Sequence, residues 1–411
     1  MAGINIHTRC LLALCGVAIG CGSIGCGGGD AKIDEHQLAI RKQQMEIEKS
    51  LKPVEVPDGA REIPTSFAGS ISEFKISPDR SRILVVATDP ADERSRDFSP
   101  SKTFIVDPTD GRLLSKFDLP FYHAEFSLDG RRLAAIGEMP ASVEGTTSIY
   151  DVRVADIASG QWQFIVGKSL VRIHAICWSE DGQHVMTVAI TRPVLSKEES
   201  EQFRREKPDE LLSLVGDSQV EFKFWNSQTG ELWKTVAGPK LEGDRAILSQ
   251  DGRFAAIWNS TNVGDVVICS PATGEELSRC VGHDLAVQEV IFGPAGNLLA
   301  TRETLTEDTT ANIAIWERKS GERLCEFDSH AVRMAFSPDE RLLATANLSL
   351  DEQKQLNWDV TIWNVDRGEI TRTLEPGGEN ARVAFLSNRE LLTSSIHSRK
   401  SRMLVRDVAE P

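Results

Sequence analysis

The hydrophobic pattern of this chain consists of short apolar runs, each stopped by a turn. Seven times an apolar residue is followed by a Ser- or Gly-led turn, usually with an Asp: ISPDR, FSLDG, WSEDG, LSQDG, FGPAG, FSPDE and the eroded FLSNR. The apolar residues that open these turns are Ile76, Phe126, Trp178, Leu248, Phe292, Phe336 and Phe385, 44 to 70 residues apart. A second marker follows each first one, an alternating run that ends at Val106, Ala155, Trp225, Cys269, Trp316, Trp363 or Arg406. Five residues beyond each of the first six second markers stands a glycine: Gly111, Gly160, Gly230, Gly274, Gly321 and Gly368. Apolar and polar alternation marks a half-buried strand. The Asp or Asn after the second marker caps a turn through its side chain, and the Gly supplies the positive φ that closes a hairpin.

Each repeat therefore reads as four strands: an inner one ending at the first marker, then runs such as RLLATA, VTIWN and, outermost, GELWKTV. A period in the forties with four short strands predicts an all-β chain, a seven-bladed β-propeller of four-stranded antiparallel blades over residues 61–411. The seventh repeat has no outer strand after MLVRDV, whereas REIPTSFAG, before the first repeat, resembles the outer runs ERLCEFDSH and EELSRCVGH. Residues 61–68 are thus expected to complete the last blade, closing the ring and removing its exposed sheet edge.

At this point the chain resembles the WD-repeat family. WN, WE and WN stand at Trp225-Asn226, Trp316-Glu317 and Trp363-Asn364, and Gly282-His283 keeps the family's GH pair. The resemblance covers residues 60 to 411 and is degenerate, because most repeats lack the His and the buried Asp of the family's hydrogen-bonded tetrad. It implies the fold, with blades held mainly by apolar packing, and implies no particular partner.

Ahead of the repeats, a basic start and an apolar run of about ten residues in CLLALCGVAIGCGSIGCGGGD read as a signal peptide over residues 1–20. The run falls short of the roughly 20 apolar residues of a membrane helix. The box Ala18-Ile19-Gly20-Cys21 resembles a bacterial lipoprotein signal, which implies lipidation at Cys21, with Cys15 and Cys26 as the other candidates. Residues 21–60 would then be a lipid-anchored tether with a stalk helix in KIDEHQLAIRKQQMEIEKSLK, rich in helix formers and ended by Lys52-Pro53. Ile33, Ile40 and Ile47 recur every seven residues, so the helix is either a solvated stalk or a weak association helix. Export to the cell envelope, facing the periplasm or the surface, follows from the same segment.

A formal charge of −15, or −16 once residues 1–20 and Arg9 are removed, argues against nucleic acid, since phosphate affinity comes from clustered Lys and Arg. Four of the eight cysteines lie in the leader. Cys177, Cys269, Cys280 and Cys325 are expected as buried, unpaired thiols. Cys280 falls about five residues out of register with Cys269, roughly 16 Å along the strand, too far for a disulfide.

Two places invite binding. From first to second marker the third repeat measures 47 residues against 21 to 30 in the others, and its surplus lies at 190–218. Ser196 with Glu199 forms a capping box, and Leu211, Leu212 and Leu214 make an apolar patch. This insertion is either a partner-binding loop or a decoration tucked onto the rim. The second place is the inner-strand position three residues before the first marker: Glu73, His123, Ala175, Arg245, Glu289, Arg333 and Arg382. Period-2 geometry sets these around the channel mouth on the long-loop face, beside Tyr122 and His174. They either bind a polar ligand or pair across blades at little energetic gain.

Catalytic signatures fail in turn: no HExxH or CxxC spacing, no GxSxG elbow and no glycine-rich phosphate loop. His123 and His174 in adjacent repeats are the one pair resembling a metal or acid–base site, and no third ligand is identifiable. The sequence thus predicts no enzyme, no cofactor and no metal. It predicts a monomeric envelope scaffold that binds a protein or peptide through the long-loop face. The alternative is a small-ligand sensor or lactonase-like propeller hydrolase with its site at the channel mouth.

Overall fold

The computed structural model describes residues 56–57, 59–65, 71–88, 101–117, 121–139, 149–169, 171–191, 219–304, 310–350, 356–375, 379–397 and 400–408. Cys21, the stalk helix, and Leu211, Leu212 and Leu214 of the insertion lie outside them. The described strands form seven four-stranded antiparallel sheets, and the chain is a seven-bladed β-propeller. Every first marker is the last residue of an inner strand: Ile71–Ile76, Phe121–Phe126, Ile173–Trp178, Arg245–Leu248, Val287–Phe292, Ala331–Phe336 and Glu379–Phe385.

Six blades run outward in chain order. In the seventh the order from the outside is Ala60–Ile63, Lys400–Asp407, Glu390–His397 and Glu379–Phe385, so the N-terminal strand does close the ring. Ala60 opposes Arg406 and Ile63 opposes Met403. The closing strand is shorter than the expected 61–68, because Pro64 has no N–H to extend a ladder. Side chains bolt it down on both sides: Arg61 donates to the Thr109 carbonyl of blade 1 (2.9 Å), and Arg402 of the neighbouring strand pairs with Glu62 (2.9 Å).

Among the described residues the apolar core divides into seven clusters, one in each gap between neighbouring blades. The seam is no exception. Ile63, 1% exposed, joins Ile71, Phe74 and Val85 of blade 1 and Leu392, Met403 and Val405 of blade 7. Cys177, Cys269 and Cys280 are buried in these gaps as free thiols, while Cys325 is only half-buried, a correction to the expectation of four buried ones. Cys280 opposes Val266, while Cys269 opposes Glu276, four residues from Cys280 where five were expected.

The turn chemistry repeats as regularly as the packing. In five blades the turn Ser bonds the Asp two residues on, and its hydroxyl accepts the N–H five residues on: Ser77, Ser127, Ser179, Ser249 and Ser337. Such bonds hold the Asp181 carboxyl below the ordinary carboxylate value, the Ser179 hydroxyl being the main cause. Blade 5 has Gly293 in place of the Ser. There the buried Glu340 carboxylate of blade 6 lies against Gly293 and accepts from the Asn297 N–H (3.3 Å). The hairpin glycines do more than supply positive φ. A Cβ on Gly274 (φ 78°) would come within 1.9 Å of the Ala237 carbonyl oxygen of the preceding blade, and one on Gly111 equally close to that of Pro64. The turns at Gly111, Gly160, Gly274, Gly321 and Gly368 thus rest on the preceding blade's outer strand, and the closing strand is used in the same way as four others.

Tetrad chemistry survives further than the repeat motifs suggest. Trp225, Trp316 and Trp363 donate their indole N–H to Thr187, Thr301 and Thr345 in the adjacent strand, at 3.2, 2.8 and 3.0 Å. In blade 5 His283 Nε2 lies 3.1 Å from the same Thr301 hydroxyl, with its ring 4.8 Å from that of Trp316. Burial is the main reason that the His283 pKa falls from the ordinary 6.5 to about 4.

Two outcomes test this architecture. A chain truncated to begin at Ile71 loses Ile63 from the core and exposes the edge of Lys400–Asp407, so it should melt at least about 5 °C lower than the full chain; equal melting would sink the closure. For His283 the charged form is excluded from the folded state. Stability is full above pH 6.5 and declines as pH falls toward 4. His283→Gln should remove about 2 kcal/mol of the decline between pH 7 and 4.5, read by denaturant unfolding at both values. A decline undiminished in the variant would assign the acid loss to the turn carboxylates instead.

Candidate functional site

Six of the seven inner strands carry a β-bulge four residues before the marker, and Tyr122 and His174 occupy two of these bulges. Only the strand Arg245–Leu248 pairs without a shift. A bulge strengthens local twist and re-aims the side chain next to it. The position after it, three before the marker, is where the sequence placed a ring of charge.

Among the described residues, the charged members of that ring have partners within the protein. Glu289 pairs with Arg302 of its own blade (3.2 Å). The Arg382 Nε donates to the Ser72 carbonyl of blade 1 (2.9 Å), Arg333 donates to the Val332 carbonyl (2.6 Å) and Arg245 to the Ser260 hydroxyl (3.3 Å). Glu73 faces Lys75 at 3.8 Å. The partners differ in kind: a second-strand side chain for Glu289, the adjoining carbonyl for Arg333, a hydroxyl of its own blade for Arg245, the next blade's backbone for Arg382 and a same-strand lysine for Glu73.

A cavity of about 410 Å³ lies instead toward the other end of the channel, walled by the last residues of the inner strands and the turns after them. Of the candidates only His123 and Ala175 line it. Most of the wall is apolar, with Ile176, Ile247, Val290, Ile291, Phe292, Phe336 and Phe385 among it. The charged side chains of the wall, Lys75, Arg80 and Glu125, all belong to blades 1 and 2, with Ser249 and Gln250 of blade 4 as further polar groups. Lys75 and Glu125, each one residue before its marker, form an ion pair across the gap between these blades, with Glu73 behind.

Sequence reading missed this pair, since it followed the position three before the marker. Period-2 geometry puts the position one before the marker on the same side. There five repeats carry Cys177, Ile247, Ile291, Ala335 and Ala384, and two carry charge. That contrast was the available signal.

The electrostatics follow from the enclosure. Burial, the largest influence on Lys75, pulls its pKa down, but Glu125 and Glu73 outweigh it and leave the ammonium above its ordinary 10.5. Burial and then Lys75 lower the pKa of His123, so its imidazole is neutral, and its buried Nδ1 has no hydrogen-bond partner. Burial, helped by Glu125 and Asp251, holds Cys177 well above the ordinary thiol range, so this thiol is no nucleophile at neutral pH. His123 lines the cavity and His174 does not. No cluster of three His, Cys, Asp or Glu side chains able to hold a metal occurs among the described residues.

No protein-family model and no curated protein matches the sequence. In solved structures the fold is widespread, with 1358 matching chains, too many to single out a function. One of them is the β-propeller domain of Cps50 (Swd1) from Myceliophteria thermophila. It matches with a TM-score of 0.57 and 11% identity, over 85% of this chain and 100% of that one. That likeness shows a WD40-like propeller fold and extends no further.

The ion pair can be tested directly. In Glu125→Gln the Lys75 ammonium loses its nearer carboxylate, so its pKa should fall toward or below the ordinary 10.5. Because 22% of the Lys75 side chain remains in contact with water, the stability cost should be modest, about 1–2 kcal/mol. Lysine reactivity against pH and a denaturant melt read the two effects. A variant with both unchanged would show that the pair does not form.

Proposed function

We propose that this chain is a non-catalytic interaction scaffold of the cell envelope, exported and lipid-anchored through Cys21, that binds a protein or peptide with the long-loop face of the propeller. The observation that supports this is how blade 3 carries its insertion. The second strand, His184–Thr191, and the third, Gln219–Asn226, pair over eight residues without a break up to Thr191 and Gln219. At the root the Thr191 hydroxyl donates to the Gln219 carbonyl (2.9 Å). Residues 192–218 therefore spring from a rigid base on one face of a closed ring, and loops on a rigid scaffold are a usual seat of binding. Leu211, Leu212 and Leu214 are the apolar residues of this stretch, and the net negative charge argues against nucleic acid as the partner.

The 410 Å³ cavity favours one second reading, a small-ligand sensor or lactonase-like hydrolase, because a largely apolar pocket with a few convergent polar groups is the usual form of a ligand site. Substituting Lys75 and His123, which line the cavity, separates the two. A scaffold using blade 3 keeps its partner, whereas a ligand site in the cavity fails.

The decisive experiment is crosslinking with affinity capture from envelope membranes, comparing the intact chain with one lacking residues 195–217. The intact chain should recover a protein that the shortened one loses. Recovery of the same set by both would remove the insertion as the interface.

A further inference from the structure

At the opposite end of blade 3, the turn Ser179–Gly182 and the start of the outer strand Leu232–Lys240 enclose a shallow groove of about 460 Å³. It is lined by Ser179, Glu180, Asp181, His184, Phe224 and Trp233. Trp233 is 62% exposed, the only aromatic among the exposed large apolar side chains of the described residues. The indole is nevertheless fixed in place. Its ring stacks on His184 (centroids 4.3 Å apart, planes 26° apart) and meets the edge of Phe224 (6.1 Å, 85°).

The acidic side of the groove is equally rigid. Asp181 accepts from the Ser179 hydroxyl (2.5 Å) and the Gln183 N–H (2.9 Å), while the Ser179 hydroxyl oxygen accepts from the His184 N–H (2.9 Å). Nearby cations are already committed. Lys234 lies 5.6 Å over the Phe224 ring and donates to the Ala272 carbonyl of blade 4, and Arg253 of blade 4 is held by Asp251 at 2.5 Å. An aromatic face attracts a cation through its quadrupole, and most strongly when the ring is Trp. Carboxylates beside such a face add their own attraction. The groove thus presents an open indole and two carboxylates, with no ammonium or guanidinium among its lining side chains.

From this we infer that the blade 3 groove receives an arginine or lysine side chain of a polypeptide partner, with the cation between the Trp233 indole and the Glu180 and Asp181 carboxylates. The inference rests on the scaffold reading and adds to it a second contact, on the face opposite the 190–218 insertion. Charge sign and ring chemistry choose this occupant. An anionic peptide or nucleic acid would meet two carboxylates on a body of net charge −15, and a purely apolar anchor would leave those carboxylates to be desolvated without return.

The test uses the full chain labelled with 5-fluorotryptophan, with the Trp233 signal assigned through Trp233→Phe. A tetra-arginine peptide and its citrulline counterpart, close in shape but uncharged, with a urea oxygen in place of one guanidinium nitrogen, are titrated at physiological salt. The Trp233 resonance should shift saturably with the arginine peptide, and the citrulline peptide should bind about tenfold more weakly. By a second readout such as calorimetry, Trp233→Ala should lose about tenfold in affinity. Glu180→Gln, which leaves the Ser179–Asp181 turn intact, should lose about threefold. A Trp233 signal that does not move, equal binding of both peptides, or undiminished binding by Trp233→Ala would each overturn the inference and leave only diffuse attraction to an acidic surface. Envelope capture and this titration fail separately. If capture by the intact chain recovers no partner but the peptide results hold, the scaffold assignment falls and the cation site stands.

Discussion

Every other feature of this protein depends on the apolar seal between adjacent blades. A lone four-stranded sheet of short strands has two faces to cover and no second layer to cover them. In this ring each blade is the second layer of its neighbours, and the seven apolar clusters are the seven places where this happens. The arrangement has no free end only because Ile63, from before the first repeat, is built into the gap between blades 7 and 1. The Gly111 turn resting on Pro64 repeats at the seam the contact that the Gly274 turn makes on Ala237. A seam made of the same contacts as the other gaps gives the ring no weak joint by design, apart from the shortness of its four-residue strand.

The fold was legible because the sequence repeats its punctuation more faithfully than its side chains. The first markers, the Ser–Asp turns and the glycines five residues after the second markers are local requirements of backbone geometry, and these tolerate few substitutes. The Ser77 hydroxyl must both bond Asp79 and accept the Arg82 N–H, and no larger side chain does this at the same place. What replaces a missing element was not legible. Glu340 supplying Gly293 with the acceptor its turn lacks is a contact between blades, 47 residues apart, with no trace in local pattern. The Trp–Thr bonds were half legible. The Trp residues were seen, but Thr187, Thr301 and Thr345 sit in second strands where they pass for ordinary strand formers.

The candidate site was harder for a related reason. Alternation tells which side of a strand a residue takes, not which of two positions on that side is close enough to its counterparts to act with them. Glu73, Glu289 and Arg382 take the position expected, but each has a different partner: Lys75 of its own strand, Arg302 of the second strand, and the Ser72 carbonyl of the next blade. Two residues further along, Lys75 and Glu125 meet across a gap between blades. Both charges belong to blades 1 and 2, so the cavity has its charge gathered in one sector of a mostly apolar wall. Seven-fold architecture imposes no such asymmetry. It arises from individual substitutions in two repeats, the kind of departure that regular packing neither requires nor rewards.

Blade 3 departs from the average repeat in the same sense, and at both of its ends. The ring explains why it can. Val188, Phe222 and Ile257 fill the gap to blade 4, and Trp233, 62% exposed, meets that seal at the edge of Phe224. An exposed tryptophan and a 27-residue interruption would each be costly in a small single-layer sheet. In a closed ring whose gaps are already filled, they are free to be shaped by what they touch outside it. Departures that the fold does not need therefore stand out against an almost periodic background, in blade 3 as in the charged pair of blades 1 and 2.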